Sequence, residues 1–60
     1  MSSGLPMDPI MLYSVINTKL RDQYSSLEQL CEDMHEDPEQ IMARLEAVGF
    51  EYDREQNRFR

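Results

Sequence analysis

Sixty residues suffice for one domain and lie near the lower size at which a single hydrophobic core holds a fold without disulfide or metal staples. Twelve acidic side chains against six basic ones give a formal net charge of −6, which disfavours phosphate-rich partners and favours basic ones. A lone cysteine excludes an internal disulfide, no second thiol or histidine cluster completes a metal site, and no apolar run approaches the length of a membrane span.

Positions 1–7, MSSGLPM, hold Ser, Gly and Pro without periodicity and read as a flexible N-terminal arm in which Leu5 or Met7 touches the core. The arm has no basic stretch and too short an apolar run for an export signal, so a reducing cytoplasm is the expected location. One compact domain is expected over 8–60. Asp8-Pro9 opens it as a helix start, because Asp accepts from free N–H groups of a first turn and Pro gives up only an N–H without a partner there. This helix is predicted over about 9–23, with Leu12, Tyr13, Ile16, Leu20 and Tyr24 as its stripe and Ile10, Met11 and Val15 widening it. So broad a stripe suits a central helix. Asn17, beside the stripe in mid-helix, is a poor helix former and is expected to bond to a neighbouring loop carbonyl.

Ser25 and Ser26 stand three residues ahead of Glu28 and Gln29, so both registers offer a capping box for a second helix over about 26–35. Leu27, Leu30, Cys31 and Met34 then fall at i, i+3, i+4 and i+7, on one face. Asp37-Pro38 repeats the earlier start and begins a third helix over about 38–48, with Ile41, Leu45 and Val48 as its stripe, widened by Met42. Gly49 suits the left-handed residue that ends it. Met34-His35-Glu36 alone links the pair, so the two helices cross at an angle about a shared core.

Beyond Gly49 the period becomes alternating, with aromatic Phe50, Tyr52 and Phe59 against charged Glu51, Asp53, Arg58 and Arg60. Positions 53–57 read as a turn, Asp53 at its start and Asn57 able to take a left-handed backbone. A two-stranded hairpin over about 50–60 follows, its aromatic face laid on the helices, with Tyr24-Ser25 as a very short third strand. The expected fold is mainly α: a three-helix, helix-turn-helix-like bundle with a C-terminal two-stranded β-hairpin.

Charge is unevenly placed. The segments before Ser25 and after Val48 are each balanced, whereas the middle holds Glu28, Glu32, Asp33, Glu36, Asp37, Glu39 and Glu46 against Arg44 alone and so carries the whole formal charge of −6. These acids read first as a solvated face that keeps a small protein soluble.

No nucleophile stands near a base in a recognisable motif, and no Gly-rich loop is present to hold phosphate. The many carboxylates of so small a chain are hard to enclose in a water-poor cleft, so no catalytic residue, cofactor or enzyme activity is expected. Cys31 and His35 are four apart but nothing supplies further ligands, and no metal is expected. Positions 53–57 resemble the start of a calcium loop, yet the sixth place, where that loop needs Gly, is Arg58.

From Leu27 to Leu45 the pattern resembles the helix-turn-helix of bacterial DNA-binding proteins: apolar Leu27, Leu30 and Met34, small Cys31, a turn, a cap, then Ile41 and Leu45. Gly49-Phe50 and the hairpin look like a winged-helix wing. In such proteins the second helix of the pair enters the major groove. Its exposed positions here would be Pro38, Glu39, Gln40, Ala43, Arg44, Glu46 and Ala47, and a basic surface would draw on Arg44, Arg54, Arg58, Arg60, Lys19 and Arg21. Three departures weigh against carrying the function over. His35 replaces the usual turn Gly, Glu36 replaces an apolar turn residue, and the reading helix has one Arg against two Glu.

A second resemblance covers Asp8 to Phe59. The pieces DPIML, NTKLRD, YSSL, LCED, GFEYD and a terminal NRF are similar to a family of short bacterial proteins catalogued as a domain of unknown function. That resemblance implies a stand-alone cytoplasmic protein of this size and brings no activity, cofactor or catalytic residue. The favoured reading is a small, acidic, non-enzymatic protein-binding module. It would meet a basic partner or a second copy of itself through the acidic helix face or an apolar edge bearing Met11, Met34 and Met42. A winged-helix-type nucleic-acid binder is the alternative. A regulator whose Cys31 senses oxidants is a third reading and requires an accessible thiol of low pKa.

Overall fold

The computed structural model describes residues 4–60. Met1–Ser3, the first part of the expected arm, lie outside the described residues. The element order is α1 (Pro9–Asp22), α2 (Leu27–Met34), α3 (Pro38–Glu46), β1 (Tyr52–Asp53) and β2 (Arg58–Phe59), so the chain is mainly α with a C-terminal two-stranded antiparallel hairpin.

Each helix begins on the cap its sequence announces. Asp8 accepts from the Ile10 N–H at 3.0 Å, and Asp37 accepts from the Glu39 N–H at 2.9 Å, with Pro in the first turn of both α1 and α3. Of the two serine registers, Ser26 caps α2, its hydroxyl accepting from the Gln29 N–H at 3.1 Å. The Gln29 carboxamide reaches back one residue further than a standard box and accepts from the Ser25 N–H at 3.2 Å and the Ser25 hydroxyl at 2.9 Å.

Helices α2 and α3 end alike. His35 takes a left-handed backbone (φ 59°), and the N–H groups of His35 and Glu36 donate back to Glu32 and Cys31. Gly49 (φ 94°) repeats this at α3, with the N–H groups of Gly49 and Phe50 donating to Glu46 and Leu45. Both satisfy last-turn carbonyls in the Schellman manner.

The core is Leu12, Ile16 and Leu20 of α1, Leu27, Leu30 and Cys31 of α2, Ile41 and Leu45 of α3, and Phe59 of β2. The helix spacings i, i+4 and i+3 turn these side chains inward. Helix α1 is central and touches α2, α3 and β2. A Cα radius of gyration of 10.3 Å matches the about 10 Å expected of a folded chain this long.

The hairpin pairs Tyr52 with Phe59 and Asp53 with Arg58. Glu51 and Arg60 extend it by exchanging main-chain hydrogen bonds at 2.9 and 3.2 Å. In the turn the Asp53 carboxylate accepts from the N–H groups of Glu55 and Gln56, and Asn57 adopts φ 55°. The aromatic face meets the helices as expected. Phe50 stacks on Tyr13 with ring centroids 3.9 Å apart, and Tyr52 lies tilted against Phe59 at 5.2 Å.

Three expectations are corrected. Helix α3 stops at Glu46, because the Gly49 turn tightens the chain so that the Val48 N–H donates to Leu45, and Val48 swings outward while Phe50 packs in its stead. Ile10 and Met11 are exposed, since the elements that cover α1 do not reach around its first turn. Tyr24-Ser25 forms no third strand: the Tyr24 carbonyl that a strand would have paired accepts instead from the Asn57 carboxamide at 3.0 Å.

Candidate functional site

The positive side chains proposed for nucleic acid do not act together. Arg44, on the outer face of α3, donates to the Met7 carbonyl at 2.7 Å and ties the arm to the helix. Arg54 faces Glu28 at 3.5 Å, Arg60 pairs with Asp53 at 3.0 Å, and Arg21 pairs with its neighbour Asp22 at 3.0 Å. Lys19 is half-buried on α1 and Arg58 is exposed on β2. Arg21 and Arg58 border a common cleft between α1 and the hairpin turn, and Arg54 and Arg60 border a second one that Glu51, Asp53 and Glu55 also line.

The outer positions of α3 fall where the spacing puts them. Glu39, Gln40, Ala43, Arg44, Glu46 and Ala47 are exposed and Pro38 is half-buried. With Arg44 committed to Met7, the face that would enter a DNA groove presents two carboxylates and no unengaged cation. Affinity for duplex rests on neutralised phosphates, a contribution this face lacks.

Most of the middle acids are solvent-facing: Glu28, Glu32, Asp33, Asp37, Glu39 and Glu46 are exposed, and Glu36 is half-buried. Asp37 is used as a cap, and Asp33 accepts from the Tyr24 hydroxyl, which raises the phenol's pKa by holding its proton against a carboxylate. Glu32, Glu39 and Glu46 have no cationic partner among the described residues.

The apolar edge differs from the one expected. Met34 and Met42 are half-buried against the core, so of the three methionines only Met11 is exposed. Among the described residues the exposed large apolar side chains are Met7 (85%), Ile10 (57%), Met11 (57%) and Val48 (43%). The Arg44–Met7 hydrogen bond sets Met7 beside α3, and the Tyr13–Phe50 stack sets the segment just after Val48 against α1.

Cys31 is 1% exposed, and burial, reinforced by the carboxylates of Glu36, Asp37 and Glu28, pushes its thiol up to about 11. A redox sensor needs the opposite environment, open and electropositive, so that reading of Cys31 falls. Cys31 turns into the core while His35 faces solvent, and among the described residues no group of three or more His, Cys, Asp or Glu is placed to hold a metal ion. No described helix is long and apolar enough to cross a membrane.

Two polar side chains fix the hairpin onto the helices. Asn17 binds β2 rather than a loop, donating to the Phe59 carbonyl at 3.0 Å and accepting from the Phe59 N–H at 2.7 Å. Asn57 donates to the carbonyls of Leu20 at 3.2 Å and Tyr24 at 3.0 Å and accepts from the Tyr52 hydroxyl at 2.7 Å. The Tyr52 hydroxyl in turn accepts from the Leu27 N–H at 3.2 Å, so the hairpin also grips the first turn of α2. In the sequence Asn57 signals only a turn residue able to take a left-handed backbone, which it does at φ 55°.

Fold and surface together define a small, mainly α domain with an acidic exterior, four exposed large apolar side chains among the described residues, and a cleft bordered by two arginines and no carboxylate. Residues 6–59 match the family described as a domain of unknown function (DUF4250), and the chain belongs to that family. No curated protein and no solved structure matches it.

Proposed function

We propose that this protein is a non-enzymatic binding module of the cytoplasm that docks another protein, a basic partner or a second copy of itself, through Met7, Ile10, Met11 and Val48. The observation that carries the reading is the exposure of those four large apolar side chains, while the other large apolar side chains among the described residues are buried or half-buried. Apolar side chains gathered in a patch, rather than scattered, mark interaction sites. The acids of α2 and α3 supply a field that draws basic partners and repels acidic ones.

Nucleic-acid binding is the second reading. In its favour, Arg21 and Arg58 border one cleft. Against it, Arg44, Arg54 and Arg60 are each engaged within the fold.

The test compares the wild type with an Ile10→Glu/Met11→Glu variant, by sedimentation over a range of concentrations and by affinity capture from the native host. A concentration-dependent dimer, or a captured protein, that the double substitution abolishes supports the reading. Association unchanged by the substitutions, or capture that nuclease treatment abolishes, counts against it.

A further inference from the structure

The cleft between α1 and the hairpin turn has a makeup unlike the rest of the surface. Ser14, Thr18 and Arg21 follow one another at i, i+4 and i+7 and form a single polar ridge along α1. Gln56 and Arg58, on either side of Asn57, form the opposite wall. Its volume of about 670 Å³ lies within the roughly 300–1,000 Å³ typical of small-molecule sites. No carboxylate lines it, although the chain has twice as many acids as bases.

The two walls are held at a set separation. Asn57 is bonded to the Leu20 and Tyr24 carbonyls, and Phe59 is bonded at both its main-chain polar groups to Asn17, so the turn cannot shift relative to α1 without breaking these contacts. Such anchoring lowers the ordering cost of binding. The side chain of Arg58 has no hydrogen-bond or ion-pair partner among the described residues. Arg21 is held only by Asp22, in a pair whose side chains are 76% and 52% exposed. Exposed pairs of this kind contribute little, so the guanidinium can turn to a better acceptor at small cost.

We propose that this cleft binds the oxyanion head, carboxylate or phosphate, of a small organic molecule, with Arg58 and Arg21 as the charged donors and the hydroxyls of Ser14 and Thr18 beside them. The planar fork of an arginine matches both head groups, and two forks on one rigid cleft supply direction as well as charge. The net charge of −6 repels anions at a distance, yet at physiological salt that field decays over about 8 Å, and at close range the cleft lining offers two cations and no carboxylate, with Asp22 the neighbour that Arg21 would exchange for the ligand. Two cations in one cleft suit one head group. A polymer backbone needs a row of them, and the remaining arginines are occupied elsewhere.

The test is a two-dimensional amide NMR titration of the full chain with sodium phosphate, disodium succinate and a short DNA duplex, each at ionic strength matched with sodium chloride. Saturable shifts from phosphate or succinate, centred on Ser14, Thr18, Arg21, Gln56 and Arg58, are expected. Arg58→Gln should weaken the binding by about tenfold or more, the loss of a charged hydrogen bond, and Arg58→Lys should weaken it less. Arg21→Gln provides an independent second loss, and the thermal midpoint of each variant verifies that the fold is retained. Non-saturating shifts equal to those of chloride, binding unaffected by both glutamine variants, or a response to the duplex alone would each overturn the proposal.

Discussion

The carboxamide of Asn17 pairs with both main-chain polar groups of Phe59, 42 positions further along the chain, and so serves the edge of β2 as a neighbouring strand would. Phe59 is itself fully buried, which makes this pairing the point where the hairpin is sealed to α1. Replacing Asn17 by Ala leaves a part-buried N–H and carbonyl unpaired. The predicted cost is about 2–3 kcal/mol, from roughly 1–3 kcal/mol for each orphaned group less what water restores. Asn17→Asp keeps the acceptor but sets a carboxylate against the Phe59 carbonyl, and should be at least as damaging at neutral pH. Urea denaturation of the two variants beside the wild type measures both.

Left-handed backbones make a second prediction. His35 (φ 59°) and Asn57 (φ 55°) are the two non-glycine residues with positive φ among those described. His35→Gly should stabilise the protein by about 0.5–1 kcal/mol, the relief of the left-handed strain less glycine's extra entropy when unfolded. Asn57→Gly should do the reverse despite its similar backbone, because its side chain makes three hydrogen bonds that glycine cannot replace. Gly49→Ala should cost about 1–2 kcal/mol from conformation alone, since a Cβ there would meet nothing within 4 Å. Thermal midpoints of the three variants test the order His35→Gly, wild type, then the other two.

Alkaline pH should erode stability through Cys31. Its pKa rises from 9.0 in the unfolded reference to about 11 in the fold, so the folded state holds the thiol proton more tightly. The stabilisation is complete below pH 9 and is lost as pH rises through the folded value. Denaturation midpoints followed from pH 8 to 11 should fall more steeply in the wild type than in Cys31→Ala. In native buffer at pH 7, a thiol reagent should label Cys31 at least about a hundredfold more slowly than in urea, given an opening free energy of about 3 kcal/mol. Fast native labelling would contradict the burial described.

Acid acts in the opposite sense at Asp53. The Arg60 guanidinium foremost, then the Gln56 N–H, holds its carboxyl below the ordinary range. With the folded pKa lower than the unfolded one, the contribution is present above the unfolded value near 3.8 and is lost as pH falls through the folded one. Asp53→Asn should therefore flatten the acid limb of a stability profile measured between pH 5 and 2. Asp22 is also shifted down by Arg21, but these are chain neighbours that can meet when unfolded, so Asp22→Asn should change that limb little.

Duplex DNA should bind weakly. With three of the six candidate cations engaged elsewhere in the fold, anisotropy titration against random duplex at 150 mM salt should give a dissociation constant weaker than about 100 µM, the upper end of non-specific binding. Tight binding whose log affinity falls steeply with log salt would revive the nucleic-acid reading.

Helix positions and caps were legible because they depend on neighbours in the chain. Asp8-Pro9, Ser26 with Gln29, Asp37-Pro38 and Gly49 each act within four residues of where they stand. Periodicity likewise placed Leu12, Leu30, Ile41 and Leu45 on inward faces. It cannot say how far a neighbouring element extends, which is why Ile10, Met11 and Val48 were assigned to covered faces that the structure leaves open. The cleft was not legible at all: Arg21 and Arg58 are ordinary surface residues until Asn17 and Asn57 draw the hairpin against α1. Even the two carboxamides gave only local signals, one as a poor helix former and one as a turn residue.

Phe59 closes a core whose other members lie between Leu12 and Leu45. During synthesis the three helical segments leave the ribosome before the residue that completes their packing, so the emerging chain presents its greasy faces until the hairpin follows. Pairing across so long a sequence separation is slow relative to helix formation. Packing of the three helices is thus complete only once that last aromatic side chain is in place.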